Sequence, residues 1–438
     1  MKRHILILSS FLALTILIKA QEPAGAGIPF NYSGLEKKLQ KSDEAIQDAK
    51  KGADPKTWIA RGELLMEIYS VNNMYLSKGM NVTGIKLLFK EPKEIRTISP
   101  GVEEYVYDRI TLTIKDGKLE DWVETDKIHE NPLPAAKEAF EKALTLDDKG
   151  KYTDKVKEDL DKLKGYFESE AIYTYNHKNY DKAYKMFDNI LKINELPLME
   201  GVKDTIIFYS AGRAALEAGD SKEAVNMFNK ALSLGYQDPY IFVFGNQAYK
   251  ELGDTIKGLD LLKKGFMKYP ENQAIQIELI NYYLLRSEGE QALEYLKMAK
   301  ASDSTNLSYI FAEGTIYDKM GRTEDAIGAY KECLAINPDY FNANYNLSIL
   351  YYNTAVKMID DCQLIENPDK YNACQKEAKE KIDQAIPFME KARDVSEDSQ
   401  QKCDALNILK TLYYRAQMEE KRKAVVEEFE LQGCDMDQ

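Results

Sequence analysis

Small and bulky apolar residues recur along the middle of the chain with a period of 34 residues. In each period a small, a bulky and a second small residue follow at spacings of four and three, which places them on one face of an α-helix. A second apolar stretch precedes each such helix, and turns such as Ala218-Gly219-Asp220 separate the two. The pattern therefore predicts a series of helical hairpins. The recurring positions are Ala224, Gly258, Ala292 and Ala326, then Phe228, Leu262, Leu296 and Tyr330, then Ala231, Gly265, Ala299 and Cys333.

This arrangement resembles the tetratricopeptide repeat (TPR), a 34-residue pair of helices. Pro270 and Pro338 match the proline that closes the second helix of a TPR unit, whereas Tyr236 and Ser304 depart from it. The resemblance implies an all-α, right-handed superhelical solenoid and carries no information about the ligand. On this register the regular units span 205–238, 239–272, 273–306 and 307–340.

Less regular units flank these four. Residues 164–200 fit one, and residues 341–397 fit another whose helices are separated by about 25 additional residues. A last hairpin is predicted at roughly 400–432. Near the N-terminus, Trp58 and Gly62 mark a first helix. The second helix of this hairpin carries Ala136, Phe140 and Ala143. We therefore predict a TPR-like solenoid of about eight helical hairpins.

An insertion of about 60 residues, at about 73–131, separates the two helices of the first unit. In the stretch from Tyr105 to Ile114, apolar and polar side chains alternate, which is typical of a half-buried strand. Asp116-Gly117 supplies a two-residue turn, and 119–125 the return strand. We predict a small β-hairpin, packed against the first helices because a lone hairpin is marginally stable in water.

The first twenty residues have the order of a secretory signal peptide. Lys2 and Arg3 precede an apolar run at 5–18, and cleavage is expected near Gln21, with Ala26 as the second choice. About fourteen apolar residues are few for a bilayer span, and the alternative is an uncleaved anchor. The predicted organisation is a signal peptide at 1–20, an N-terminal segment with a leading helix at 21–54, the first TPR-like unit with its insertion at 55–150, the regular array at 151–340, and C-terminal TPR-like units with long helices and disulfides at 341–438.

Composition agrees with a packed helical protein, since 44% of the 438 residues are hydrophobic and 30% charged. The net charge is −13, and removal of the three positive charges in residues 1–20 makes it −16. Nucleic-acid binding needs a basic face that releases counterions, and no block of Lys or Arg stands out. We therefore exclude nucleic acid as a partner.

All five cysteines lie in the C-terminal quarter of the chain, and disulfides are expected in an exported protein. Cys333 occupies a small-residue position of the repeat, so we expect a buried free thiol. The other four flank predicted turns, and antiparallel helices bring such pairs together. We propose bonds Cys362–Cys374 and Cys403–Cys434, against the alternative of reduced, buried thiols.

Residues for catalysis are scarce. Only His4, His129 and His177 are present, and we find no phosphate-binding glycine loop, nucleophile-elbow serine or zinc-type Cys/His spacing. His177 lies in a polar turn, where a solvated side chain is expected. We predict no catalytic residue, no metal and no cofactor. An enzyme built on the insertion is the rival hypothesis, but its titratable residues resemble ordinary edge charges. These are Asp108, Arg109, Asp116, Glu120, Asp121 and Glu124.

The resemblance also implies a binding groove lined by the first helix of each unit. Its composition is aromatic and amide-rich with one charge, which suits an extended peptide. TPR domains that bind acidic C-terminal tails use lysines on this face as a carboxylate clamp. The matching lysines are absent here, so a neutral or aromatic-bearing protein or peptide is the expected partner. The alternative is that this face packs against the N-terminal insertion. The expected groove residues are Ile206, Tyr209, Arg213, Tyr240, Val243, Gln247, Ile277, Asn281, Phe311, Thr315, Asn342, Tyr345 and Ile349.

These observations predict a non-catalytic scaffold or adaptor in the cell envelope, similar to the exported TPR proteins of Gram-negative bacteria. A periplasmic or otherwise exported location follows from the N-terminal segment, with no integral membrane span after its cleavage. The alternative is a membrane-anchored assembly subunit of an envelope complex, which would retain the apolar run at 5–18.

Overall fold

A computed structural model describes residues 30–72, 75–89 and 91–434. The predicted signal peptide and its cleavage positions lie outside these residues. The chain forms two compact bodies. The N-terminal body extends to His177 and includes Lys185–Val202, and the C-terminal body holds Lys178–Tyr184 and the chain from Lys203 onward.

Helices α1 to α6 come earliest in the described chain, and most of them belong to the N-terminal body. Helices α2 and α4 pack against each other, as the predicted first hairpin requires. Their contact depends on Gly62, because a Cβ there would lie 2.5 Å from the ring of the buried Phe140. The helices are α1 (Tyr32–Gln47), α2 (Pro55–Ser70), α3 (Val82–Leu88), α4 (Pro132–Leu146), α5 (Thr153–Asn176) and α6 (Tyr180–Asn194).

The insertion is a four-stranded antiparallel sheet in the order β1-β2-β3-β4, larger than the predicted hairpin. The predicted hairpin is β3–β4, and its turn residues Asp116 and Gly117 have φ values of 48° and 73°. The long predicted first strand is wrong, since residues 107–109 interrupt it. The strands are β1 (Glu94–Ser99), β2 (Val102–Val106), β3 (Ile110–Lys115) and β4 (Lys118–Glu124).

One face of the sheet is buried. Leu112 and Ile114 pack with Ile85 of α3 and with Phe89, so a helix of the insertion itself covers the sheet. The sequence pattern does not predict α3, because a helix of seven residues is too short to show a clear apolar period. Trp122 is half-buried at the margin of the same cluster.

The C-terminal body contains the regular repeats. Each predicted unit from 205 to 340 holds two helices in contact. Gly314 lets α13 approach Tyr330, since a Cβ there would lie 2.6 Å from the ring. Tyr236, at the position where the family has proline, stacks on Tyr209. The helices are α7 (Thr205–Glu217), α8 (Ser221–Ser233), α9 (Tyr240–Glu251), α10 (Thr255–Lys268), α11 (Gln273–Leu285), α12 (Gly289–Ser302), α13 (Leu307–Lys319) and α14 (Thr323–Ile336).

Two longer hairpins follow, α15 (Phe341–Cys362) with α16 (Pro368–Asp394), and α17 (Ser399–Arg415) with α18 (Glu419–Leu431). Both predicted cysteine pairs lie at disulfide distance, with Cα–Cα separations of 5.7 Å for 362–374 and 5.6 Å for 403–434. Cys333 is free and buried, and burial raises the pKa of its thiol to about 11. The first bond closes the tip of α15–α16, and the second ties the start of α17 to the residues after α18.

Candidate peptide-binding face

The thirteen predicted groove residues lie on the first helices α7, α9, α11, α13 and α15, and none is fully buried. Their exposure divides them into two groups. The exposed residues are Ile206, Tyr240, Gln247, Ile277, Asn281 and Asn342. The half-buried residues are Tyr209, Arg213, Val243, Phe311, Thr315, Tyr345 and Ile349.

Three exposed residues make an apolar strip. Ile206 is 56% exposed, Tyr240 38% and Ile277 44%. They stand on α7, α9 and α11, and these helices contact one another in turn. Because these three apolar side chains stand on successive first helices, they make this face the candidate binding surface.

Aromatic rings of α7, α9 and the loop before α9 cluster beside Tyr240. Tyr209 stacks on Tyr236 with ring centroids 4.7 Å apart, and Tyr240 lies 6.2 Å from Phe244 in a stacked arrangement. The Arg213 guanidinium lies 3.6 Å from the centre of the Phe244 ring. These contacts join α7 to α9 through aromatic rings.

Arg213 is the one charged residue among the predicted groove residues, and Glu217 balances its charge. Its Nη2 lies 3.3 Å from Oε1 of Glu217, one turn along α7. The side chain is 15% exposed. Among the predicted groove residues of α7 and α9, the one positive charge is therefore paired with a negative one.

A cavity of about 150 Å³ opens between α9, α10 and α11. Among the predicted residues it includes only Asn281. Leu285, which is 82% exposed, and Tyr282 supply apolar lining. The sequence pattern does not predict this cavity, although the apolar Leu285 at the end of α11, next to Arg286, is an indication of it. The lining is completed by Asn246, Lys250, Thr255, Glu278 and Arg286.

The α13–α15 end of the predicted groove is more closely involved in packing. Phe311 contacts the ring of Tyr340 edge-on at 5.7 Å, and the Tyr330 hydroxyl donates to Thr315 Oγ1 at 3.4 Å. Tyr345 stacks on Phe341, and burial raises its pKa. These residues hold helices together, so substitutions there would report stability as well as binding.

The charged residues of the insertion do not all resemble edge charges. Asp108, Asp116 and Glu120 are exposed, as expected. The expectation is wrong for Arg109 and Asp121, whose side chains are only 20% and 18% exposed.

Arg109 binds Glu36 of α1 and lies over the ring of Tyr32. Beside them Glu124 is half-buried, and burial raises its pKa. These contacts attach α1 to the sheet, so packing accounts for them.

His177 is exposed, as expected, and also hydrogen-bonded. Its Nε2 lies 2.8 Å from Asp121 Oδ2, and its Nδ1 lies 2.7 Å from the Tyr173 carbonyl. Within residues 30–72, 75–89 and 91–434, no three His, Cys, Asp or Glu side chains are grouped as metal ligands.

Comparison with known proteins identifies the repeats. Residues 207–234 match the tetratricopeptide repeat family, and residues 314–354 match a second family described as TPR repeat. Tetratricopeptide repeats are therefore present in the chain. TPR proteins are in general protein-interaction scaffolds, and their repeats are generally non-catalytic.

Two curated relatives are similar over part of the chain. A TPR repeat-containing protein of Methanocaldococcus jannaschii is 24% identical over 249 residues, covering 54% of this chain and 38% of that protein. The photosystem I assembly protein Ycf3 of Prochlorococcus marinus is 27% identical over 154 residues, covering 35% of this chain and 70% of that protein. The match thus spans well under half of the archaeal relative.

Two solved structures of TPR proteins are similar to part of the chain. YrrB, described as a TPR protein with an unusual peptide-binding site, has a TM-score of 0.33 at 18% identity, covering 40% of this chain and 88% of its own. The C-terminal part of a TPR repeat-containing protein from Cytophaga hutchinsonii has a TM-score of 0.38 at 10% identity, covering 55% and 93%.

None of the helices in the described part of the chain combines the length and the apolar character that crossing a bilayer requires.

Proposed function

We propose that this protein is a non-catalytic scaffold of the cell envelope that binds an extended segment of a partner protein along its first helices. The observation that carries the proposal is the exposed apolar strip Ile206, Tyr240 and Ile277 on three successive first helices. The bound segment is neutral and bears aromatic or aliphatic side chains. Asn281 and Gln247, both exposed on the same helices, can pair with its backbone.

The envelope location is supported by two independent features. Residues 1–20 have the charge and apolar order of a secretory signal. Two cysteine pairs at bonding distance suit an oxidising compartment. The similarity to a photosystem I assembly protein supports a role in assembly.

The binding face is tested with a library of displayed random peptides selected on the intact protein. Enriched peptides are synthesised, and their affinities are measured for the wild type and for a variant with Ile206→Ser, Tyr240→Ser and Ile277→Ser. Removing three anchors should weaken binding by about tenfold or more. Enrichment of extended neutral peptides with aromatic or aliphatic residues is expected.

A matched control carries Ile256→Ser, Met267→Ser and Met298→Ser, which are equally apolar changes at exposed positions of second helices, 71%, 75% and 43% exposed. Its affinity should equal that of the wild type. Equal losses in both variants, or the absence of any selected peptide, would contradict the assignment of the face.

The compartment is tested separately. N-terminal sequencing of protein recovered from fractionated cells should show a first residue near Gln21 in the exported fraction. A full-length chain in the membrane fraction would instead support the anchored assembly subunit.

A further inference from the structure

The sheet of the insertion has two edges, and the chain covers one of them. At the β4 edge the Gly79 N–H donates to the Leu119 carbonyl, and the Leu119 N–H donates to the Met80 carbonyl, both at 2.7 Å. β1 forms the opposite edge and pairs only with β2. Within the described residues nothing pairs with the outer side of β1, and all six of its residues are exposed. An open strand edge presents unpaired backbone groups that can template another strand.

An apolar row of the sheet ends at this open edge. Ile95 pairs with Tyr105, which pairs with Leu112, which pairs with Trp122. Leu112 is fully buried, whereas Ile95 is 51% exposed. On the β1 side the row ends at the exposed Ile95, and a strand added there would place its own side chain beside Ile95.

The charges of β1 are complementary to a second β1 in antiparallel orientation. When Ile95 faces the partner's Ile95, Glu94 faces the partner's Arg96, and the reverse pair forms by symmetry. Lys93 then faces the partner's Thr97. Glu94 and Arg96 are 52% and 51% exposed and pair with each other at 2.6 Å, so they can exchange this weak surface pair for two pairs across the interface.

The length of the pairing is limited at both ends, symmetrically about Ile95. Pro92 has no N–H to donate to a ladder, so it ends the strand on one side. A register shift between Thr97 and Ser99 disturbs the ladder at Ile98 on the other side. Pro92 and Ile98 are each three residues from Ile95. The five residues between them form a short, self-complementary segment.

We propose that the open edge of β1 binds β1 of a second copy of this chain, which makes one continuous eight-stranded sheet from two sheets. Ile95 packs on the partner's Ile95, and the Glu94–Arg96 pairs fix the register. The interface is isologous and closes on itself, so it yields dimers and no higher polymer. Because the paired segment is short, the dimer is weak and depends on protein concentration.

The test measures the dimer fraction of the full chain by sedimentation velocity over a wide concentration series. Glu94→Arg places Arg opposite Arg, and Arg96→Glu places Glu opposite Glu. Like charges directly opposite each other should weaken dimerisation about tenfold or more in each variant alone. When the two variants are mixed, every facing pair is again of opposite sign, so dimers should return to the wild-type level as mixed dimers.

Glu120→Arg is the matched control, since it makes the same charge change at an exposed position of the covered β4 edge. It should dimerise as the wild type does, and circular dichroism shows whether each variant is folded. A wild type that stays monomeric throughout, a dimer that survives both single variants, or a mixture that does not recover would each overturn the proposal.

Discussion

Individual small residues decide how closely the helices approach. A Cβ on Gly212 would lie 2.7 Å from the ring of Phe228. Gly258 accommodates a buried amide, since a Cβ there would lie 2.7 Å from Oδ1 of Asn246. Real Cβ contacts are longer than this, so the recurring small residues are a packing requirement of the repeat. Their spacing could be recognised in the sequence because sterics allow few alternatives.

Two glycines of one repeat unit allow a matched comparison. Gly314→Ala should destabilise the protein by about 1–3 kcal/mol, because the added Cβ overlaps the buried Tyr330 ring. Gly328→Ala, where a Cβ would meet no atom within 4 Å, should stabilise it by about 0.5–1 kcal/mol through helix propensity. Urea unfolding followed by circular dichroism measures both. A Gly314→Ala variant as stable as Gly328→Ala would refute the packing assignment.

The half-buried carboxyl group of Glu124 should make the stability of the protein depend on pH. Burial raises its pKa above the ordinary value, a shift opposed by the neighbouring Lys127, Asn72 and Arg109 and increased by Asp126. Folding therefore favours the protonated acid, and the wild type loses stability as pH rises through the folded-state pKa. Glu124→Gln cannot titrate. The variant should gain stability relative to the wild type as pH rises from about 4 to 7.

Thermal unfolding of both proteins across this pH range measures the difference. A difference that stays constant, or that changes in the opposite direction, would show that the carboxyl group is not held in its protonated form by folding.

At the scale of helices and strands, the elements that follow the 34-residue repeat could be predicted from the sequence. The helices α7, α9, α11 and α13 begin at Thr205, Tyr240, Gln273 and Leu307, within one residue of the starts of the predicted units. The sequence does not predict β1, because its six residues show no alternation of apolar and polar side chains. All six are exposed, so no buried face requires such an alternation. The groove positions could be placed on the right helices from the register alone. Their exposure could not, because it depends on neighbouring rings such as Tyr236 and Phe244.

The disulfides stabilise the C-terminal elements. The separations of 12 and 31 residues correspond to about 3 and 4 kcal/mol in the chain-entropy account. Cys403→Ser with Cys434→Ser should increase amide hydrogen exchange in α17 and α18. Cys362→Ser with Cys374→Ser should affect the tip of α15–α16 instead. Identical exchange patterns in the two double variants would contradict this division.

Thiol titration provides a direct check of the same pairing. The unfolded, unreduced protein should contain one reactive thiol, that of Cys333, and reduction should raise the number to the five cysteines of the sequence. Five reactive thiols before reduction would refute both bonds.

At the scale of the whole molecule, both proposed functions belong to surfaces. The net charge of −13 disfavours nucleic acid, and the partly buried Arg109 of the insertion attaches α1 to the sheet, whereas Asp121 binds His177. An apolar strip lies on the first helices of one body, and an open strand edge lies in the other. The first would bind a partner protein, and the second would pair two copies of the chain.

The claim that the first helices bind the partner is tested most directly by site-specific photo-cross-linking in the cells that produce the protein. A photoreactive amino acid replaces Ile206, Tyr240 or Ile277 in three variants, and Ile256, Met267 or Met298 in three controls. One shared adduct is expected from the three first-helix positions and none from the second-helix positions. Adducts confined to the control positions, or no adduct at any first-helix position, would contradict it.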